Sequence, residues 1–204
     1  MPIFSFYAGE AMVSTGDRLR QRGATLVEFA LVAISLLLFG TLIVEAAHWQ
    51  MLRQVAYVAL LDSARVGATH PDRAEAMQRG FVAAFLPPLV AGKHAAQNRQ
   101  AEIWAAIQNK TGMPAWRIEI LQPQDVQILH TRLTYLHEPL SPMTRALLRA
   151  FGQEQGDCMR KAWAHGMLPI RLTLDIETHA RASPKATPTA NVVYGDWDCT
   201  KAAT

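Results

Sequence analysis

Two cysteines, seven histidines and a glutamate at the head of an apolar run are the side chains of this 204-residue chain whose types invite chemistry. Cys158 and Cys199 are an even pair, and in a chain that leaves the cytoplasm such a pair favours a disulfide over two free thiols. A loop of about 40 residues closed in this way stabilises a fold by roughly 2 to 4 kcal/mol. Histidines offer metal ligands, and His130, His137 and His179 fall on extended segments. Their spacing argues against a site. HExxH, paired CxxC and His-x-His are all missing, and the odd separation of His130 and His137 sends them to opposite faces of a strand. No metal and no cofactor is expected. Asp175 and Glu177 share a strand face, as an acid and base pair would, but the same spacing is that of a solvated polar stripe, the reading adopted here. With no GxSxG elbow, phosphate-binding glycine loop or dinucleotide fingerprint, the expectation is a protein that is not an enzyme. A hydrolase built from residues scattered along the chain needs an activity screen to be found.

Glu28 raises the sharpest question, because of where it stands. From Phe29 to Val44 no charge interrupts FALVAISLLLFGTLIV, and extending the run to Ala24 and Ala47 gives about 24 residues, where a membrane-crossing helix needs about 20. A carboxylate at the centre of such a helix costs about 2.5 to 3.5 kcal/mol, and less near its end. Glu28 therefore calls for a cationic partner, an amine or an arginine, or else snorkels to the interface. Arg18, Arg20 and Arg22 form the densest positive cluster ahead of the run, which predicts a cytoplasmic N-terminus and an extracytoplasmic C-terminal part. An ordinary secretory signal peptide fits less well: the apolar core is too long, and no small-residue cleavage motif follows it cleanly.

Composition supports one folded unit plus this segment. Half of the residues are hydrophobic and 18% are charged, with the longest uncharged run in the first quarter. The formal charge of +3 is dispersed along the chain, so nucleic acid is not expected as a partner.

Arg22-Gly23-Ala24-Thr25-Leu26-Val27-Glu28-Phe29 resembles a type IV pilin processing site: a basic leader, glycine before the cut and glutamate fifth after it. Read onward through LLLFGTLIVEAAHWQMLRQVAYVALLDSARVGA, the chain from about Arg20 to Ala68 resembles the TadE-like minor pseudopilins of the tight adherence, or Flp-type, pilus system. The second glutamate, Glu45, and the closing Ala64-Arg65-Val66-Gly67-Ala68 belong to that resemblance. It implies cleavage between Gly23 and Ala24 by a prepilin peptidase at the cytoplasmic face. It also implies that Glu28 pairs with the N-terminal amine of a subunit. Its implied partners are the cytoplasmic membrane, other pilins or pseudopilins, the peptidase and a pilus assembly platform. The implied place is the bacterial inner membrane, crossed once. The domains expected are a leader over 1–23, a membrane segment over 24–47, a continuation of the first helix over 48–70 and an extracytoplasmic domain over 71–204.

A helix from Ala24 to about Val66 is about 65 Å long, twice the hydrocarbon thickness, so its second half must protrude. There Leu52, Val55, Ala59 and Val66 form a stripe that can meet a domain. Pro71-Asp72 ends this helix and starts another over Asp72 to Leu86. Pro87-Pro88 breaks that one, and Ala95 to Lys110 carries a third. Arg117 to Leu121 and Val126 to His137 look extended, with Gln122-Pro123-Gln124-Asp125 as the turn between them, which predicts antiparallel pairing. Ser141-Pro142 starts a helix over Met143 to Phe151. Leu168, Ile170, Leu172, Leu174 and Ile176 alternate with polar residues as a half-buried strand does. The fold class predicted is α+β: a long pilin-like N-terminal transmembrane helix, further helices and a small antiparallel sheet. Two functions follow. The first is a structural or assembly component, aided by Gly40, Ala46 and Ala47, which let helices approach closely. The second is an uncleaved, permanently anchored envelope binding module.

Overall fold

The computed structural model describes residues 15–85, 93–121, 128–151, 157–178 and 187–195. Helix α1 runs from Thr15 to Thr69 and is followed by α2 (Arg73–Phe85) and α3 (Lys93–Thr111). Then come strands β1 (Trp116–Leu121) and β2 (Ile128–His137), helices α4 (Pro142–Phe151) and α5 (Asp157–Ala164), and strands β3 (Leu168–Glu177) and β4 (Val192–Tyr194). The chain divides into two units between Ile43 and Val44.

In the first unit the described part of α1 is an apolar sleeve. Leu26, Phe29, Leu36, Leu37 and Phe39 are all exposed, and α1 is the one helix among the described residues long and apolar enough to cross a membrane. Its hydroxyls are satisfied within the helix, Ser35 donating to the Leu31 carbonyl and Thr41 to that of Leu38, both at 2.8 Å. Internal pairing of this kind is what a segment surrounded by lipid requires. The helix is already formed at Thr15, the first described residue, ahead of the expected mature start at Ala24, and Gly23 does not break it.

Among the described residues the second unit is built on a four-stranded sheet in the order β3-β2-β1-β4. β1 pairs antiparallel with β2, Ile118 opposite Leu133, and β2 antiparallel with β3, Leu133 opposite Leu172. The sheet is nevertheless mixed rather than wholly antiparallel, because β4 lies parallel to β1 with Val192 beside Ile118. β4 spans three residues, too few for an alternation to register, and its existence depends on the pairing. α5 was likewise missing from the expected elements: eight residues following a stretch of glycine and charge carry little periodic signal.

Alternation along the strands sends Trp116, Ile118, Leu133, Tyr135, Ile170 and Leu172 to one buried face. On that face Phe81 of α2 meets Trp116 at 4.4 Å between ring centroids, Phe85 meets Tyr135 at 5.0 Å, and Trp104 of α3 meets Trp116 at 5.7 Å. α1 closes the core with small residues. Ala56, Ala59, Leu60, Ser63 and Ala64 are fully buried, while Leu52 and Val55 rest against the core from its edge. A Cβ on Gly67 would collide with the buried Met77 side chain at its Cγ and Sδ, so α2 packs closely here against a residue without a side chain. The Ser63 hydroxyl, which donates to the Met77 carbonyl at 2.8 Å, fixes the same contact. On the sheet's other face Arg117 and Glu119 are also buried, and Arg132 reaches Glu119 at 3.2 Å.

Candidate functional site

Of the residues singled out for processing, Arg18, Arg20, Arg22, Gly23 and Ala24, the structure describes the backbone, and that backbone is helical. Glu28 stands one turn further on, exposed among Leu26, Val27, Phe29 and Leu31, which are 61 to 72% accessible. No cation lies within ion-pair distance of it among the described residues. Its carboxylate thus faces outward from an apolar surface, and the partner such a charge demands in lipid has to come from elsewhere.

The second glutamate of the helix is placed in the opposite way. Glu45 is 8% exposed, and its two carboxylate oxygens accept hydrogen bonds from the backbone amides of Leu140, at 3.1 Å, and Ser141, at 3.0 Å. These amides lead into α4. Ser141 caps that helix, its hydroxyl accepting from the Met143 amide at 3.2 Å, and Arg145 N–H closes the first turn on the Ser141 carbonyl. The negative charge of Glu45 therefore rests on two backbone N–H groups just ahead of α4, at the positive end of its dipole. His137, the last residue of β2, brings Nε2 to 3.8 Å from Glu45, an electrostatic contact too long for a hydrogen bond. The His48 ring lies 5.1 Å from that of His137. Burial, with the neighbouring His48 second, pulls the His137 pKa below its ordinary value, against the opposing pull of Glu45. Next along the chain, Glu138 is bound by Lys110 at 2.6 Å and Arg145 at 3.0 Å, and the Lys110 hydrogen bond above all holds its carboxyl below the usual range.

The sequence singled out Glu45 only through its family resemblance and His137 only as a rejected metal ligand. The usable signal was the Ser141-Pro142 helix start, whose free amides need an acceptor, but nothing local says that the acceptor lies on α1. His130 and His137 do take opposite faces. His130 binds Asp175 at 2.7 Å on the exposed side, and Glu177 is exposed on the same strand. His179 lies outside the described residues, among which no three His, Cys, Asp or Glu side chains are grouped to hold a metal ion. Cys158 is half-buried on α5, and Cys199 lies outside the described residues.

Residues 23–65 match the family model described as TadE-like protein. The matched segment begins at the candidate processing glycine, takes in Glu28, the apolar sleeve and Glu45, and ends in the buried stripe of α1. TadE-like proteins are structural pilus components, and the match associates the chain with the Tad pilus system. No curated protein and no solved structure matches the chain.

Proposed function

We propose that this protein is a minor pseudopilin-like structural or assembly component of a tight adherence (Flp-type) pilus or a related secretion machine. The observation that carries the proposal is the position of the TadE-like match, which takes in the exposed apolar stretch of α1 with Glu28 at its head. α1 inserts in the inner membrane with Arg18, Arg20 and Arg22 on the cytoplasmic side, and the unit from Val44 onward lies outside. A prepilin peptidase cuts between Gly23 and Ala24. Glycine in a helix interior costs about 1 kcal/mol relative to alanine, so the backbone is easiest to unwind at the bond to be cut. The new amine on Ala24 supplies the cation that Glu28 lacks, in this subunit or in a neighbour, and the sleeve exchanges lipid for the helices of other pilins at the assembly platform. A disulfide from Cys158 to Cys199 fastens the chain's end to α5, in keeping with the fact that no cysteine among the described residues is free.

The test is the N-terminus of the mature protein from cell membranes, by intact mass, with and without the peptidase. A start at Ala24 that depends on the peptidase is expected. A start at Met1 would leave a fixed anchor and turn the reading to an envelope binding module, and a start beyond about Ala47 would make the protein a secreted one.

A further inference from the structure

β3 ends the sheet. Among the described residues its ten positions have a strand neighbour, β2, on one side only. Along this edge runs a groove of about 540 Å³ whose walls are α1, through Arg53, Gln54, Tyr57 and Val58, and β3, through Arg171 and Thr173. Three properties of the groove are independent of one another. The first is backbone: an edge strand presents N–H and C=O groups that a further strand can take up. The second is apolar surface, since Tyr57 and Val58 remain 44% and 52% exposed on the helix wall. The third is charge. Arg53 and Arg171 stand on opposite walls, and neither has a carboxylate within ion-pair distance among the described residues. Arg53 instead lies 5.9 Å from the Trp49 ring, over its face.

We propose that this groove docks an extended acidic segment of a partner protein, one that alternates carboxylate and apolar side chains and adds to β3 as a fifth strand. Successive side chains of an added strand point to opposite faces. Those on the outer face bring carboxylates to Arg171, and those on the inner face cover Tyr57 and Val58 beside Arg53. The charges of β3 also set the register. Asp175 and Glu177 are exposed at its far end and repel an acidic strand there, which confines docking to the half of β3 around Arg171 and Thr173, where the groove lies. Neither processing at Gly23 nor pairing at Glu28 is needed for this surface to act.

Full-length protein in detergent micelles, titrated with an end-blocked peptide alternating valine and glutamate, tests the proposal. Saturable binding is expected, together with slowed amide exchange around Arg171 to Thr173 and no binding of the matching valine–lysine peptide. Arg171→Glu is expected to weaken binding about tenfold, and so is Arg53→Glu, which sits on the helix and leaves the sheet untouched. Equal binding of the lysine peptide, unchanged exchange along β3, or indifference to both substitutions would overturn the proposal. So would self-association of the protein through β3 that the peptide does not displace, which would assign the edge to a second copy.

Discussion

Glu28 and Glu45 sit on one helix, and their surroundings differ as much as two carboxylates can. Glu28 stands exposed in a sleeve of leucine, valine and phenylalanine, and Glu45 is buried against two backbone amides and a histidine. The stretch of α1 in the first unit keeps its apolar side chains outside, and the stretch in the second unit turns alanine, serine and glycine inward to meet α2. One segment is therefore shaped for a surrounding that the described residues do not supply, and the other packs its inward face on the core of its own unit. Substitutions should separate them accordingly.

The widest separation is expected between two phenylalanines. Phe81→Ala removes the ring that joins α2 to Trp116 and should cost about 3 to 5 kcal/mol, read as the denaturant midpoint of tryptophan fluorescence in detergent. Phe39→Ala, on the exposed sleeve, should leave that midpoint in place. If both substitutions move it equally, the contrast between the two stretches fails.

The two glutamates come next. Glu45→Ala strips the acceptor from the amides of Leu140 and Ser141 and should destabilise the second unit by about 2 to 4 kcal/mol, with α4 showing faster amide exchange than the sheet. Glu28→Ala should leave the same unfolding curve unchanged while, on the proposed function, reducing the amount of pilus that cells carrying it assemble.

Acid should weaken the Glu45 corner by a smaller amount. The pKa of His137 is lowered on folding, so as pH falls below about 6.5 the unfolded chain takes up the proton first. Stability is complete above that pH and declines below it until His137 protonates in the folded state as well. Unfolding midpoints measured between pH 8 and 5 should fall in that window, and His137→Gln should flatten the slope. The smallest effect belongs to Glu138→Gln. Its pairs with Lys110 and Arg145 are partly exposed, so a loss under about 1 kcal/mol is expected, shrinking further in high salt.

Much of the architecture could be read from neighbouring residues. The apolar run of α1, the break at Pro71, the antiparallel pairing of β1 with β2 and the alternation of β3 each rest on local pattern, and the expected elements after α1 are matched to within a few residues, while the expected turn over residues 122–125 and the break at Pro87-Pro88 lie outside the described residues. The elements that escaped were short. α5 and β4 carry eight and three residues, too few for a period to show. The candidate site divides along the same line. Gly23, Ala24 and Glu28 form a contiguous motif, legible in order, and Glu45 was visible only as a letter of a family pattern because its ligands lie on a loop far along the chain.

By itself the sequence determined that one segment is apolar for long enough to cross a membrane, that a carboxylate stands near its start, and that the remainder alternates helix with a few strands. These are properties of hydrophobicity and period, additive over adjacent residues. Only the tertiary structure decided that β4 lies parallel to β1, that Glu45 binds the amides leading into α4, that Arg117 and Glu119 are buried, and that a groove with two arginines follows the outer edge of β3 among the described residues. Each of these joins residues distant in the chain, whose meeting is set by how the whole core closes and by no interaction among neighbours.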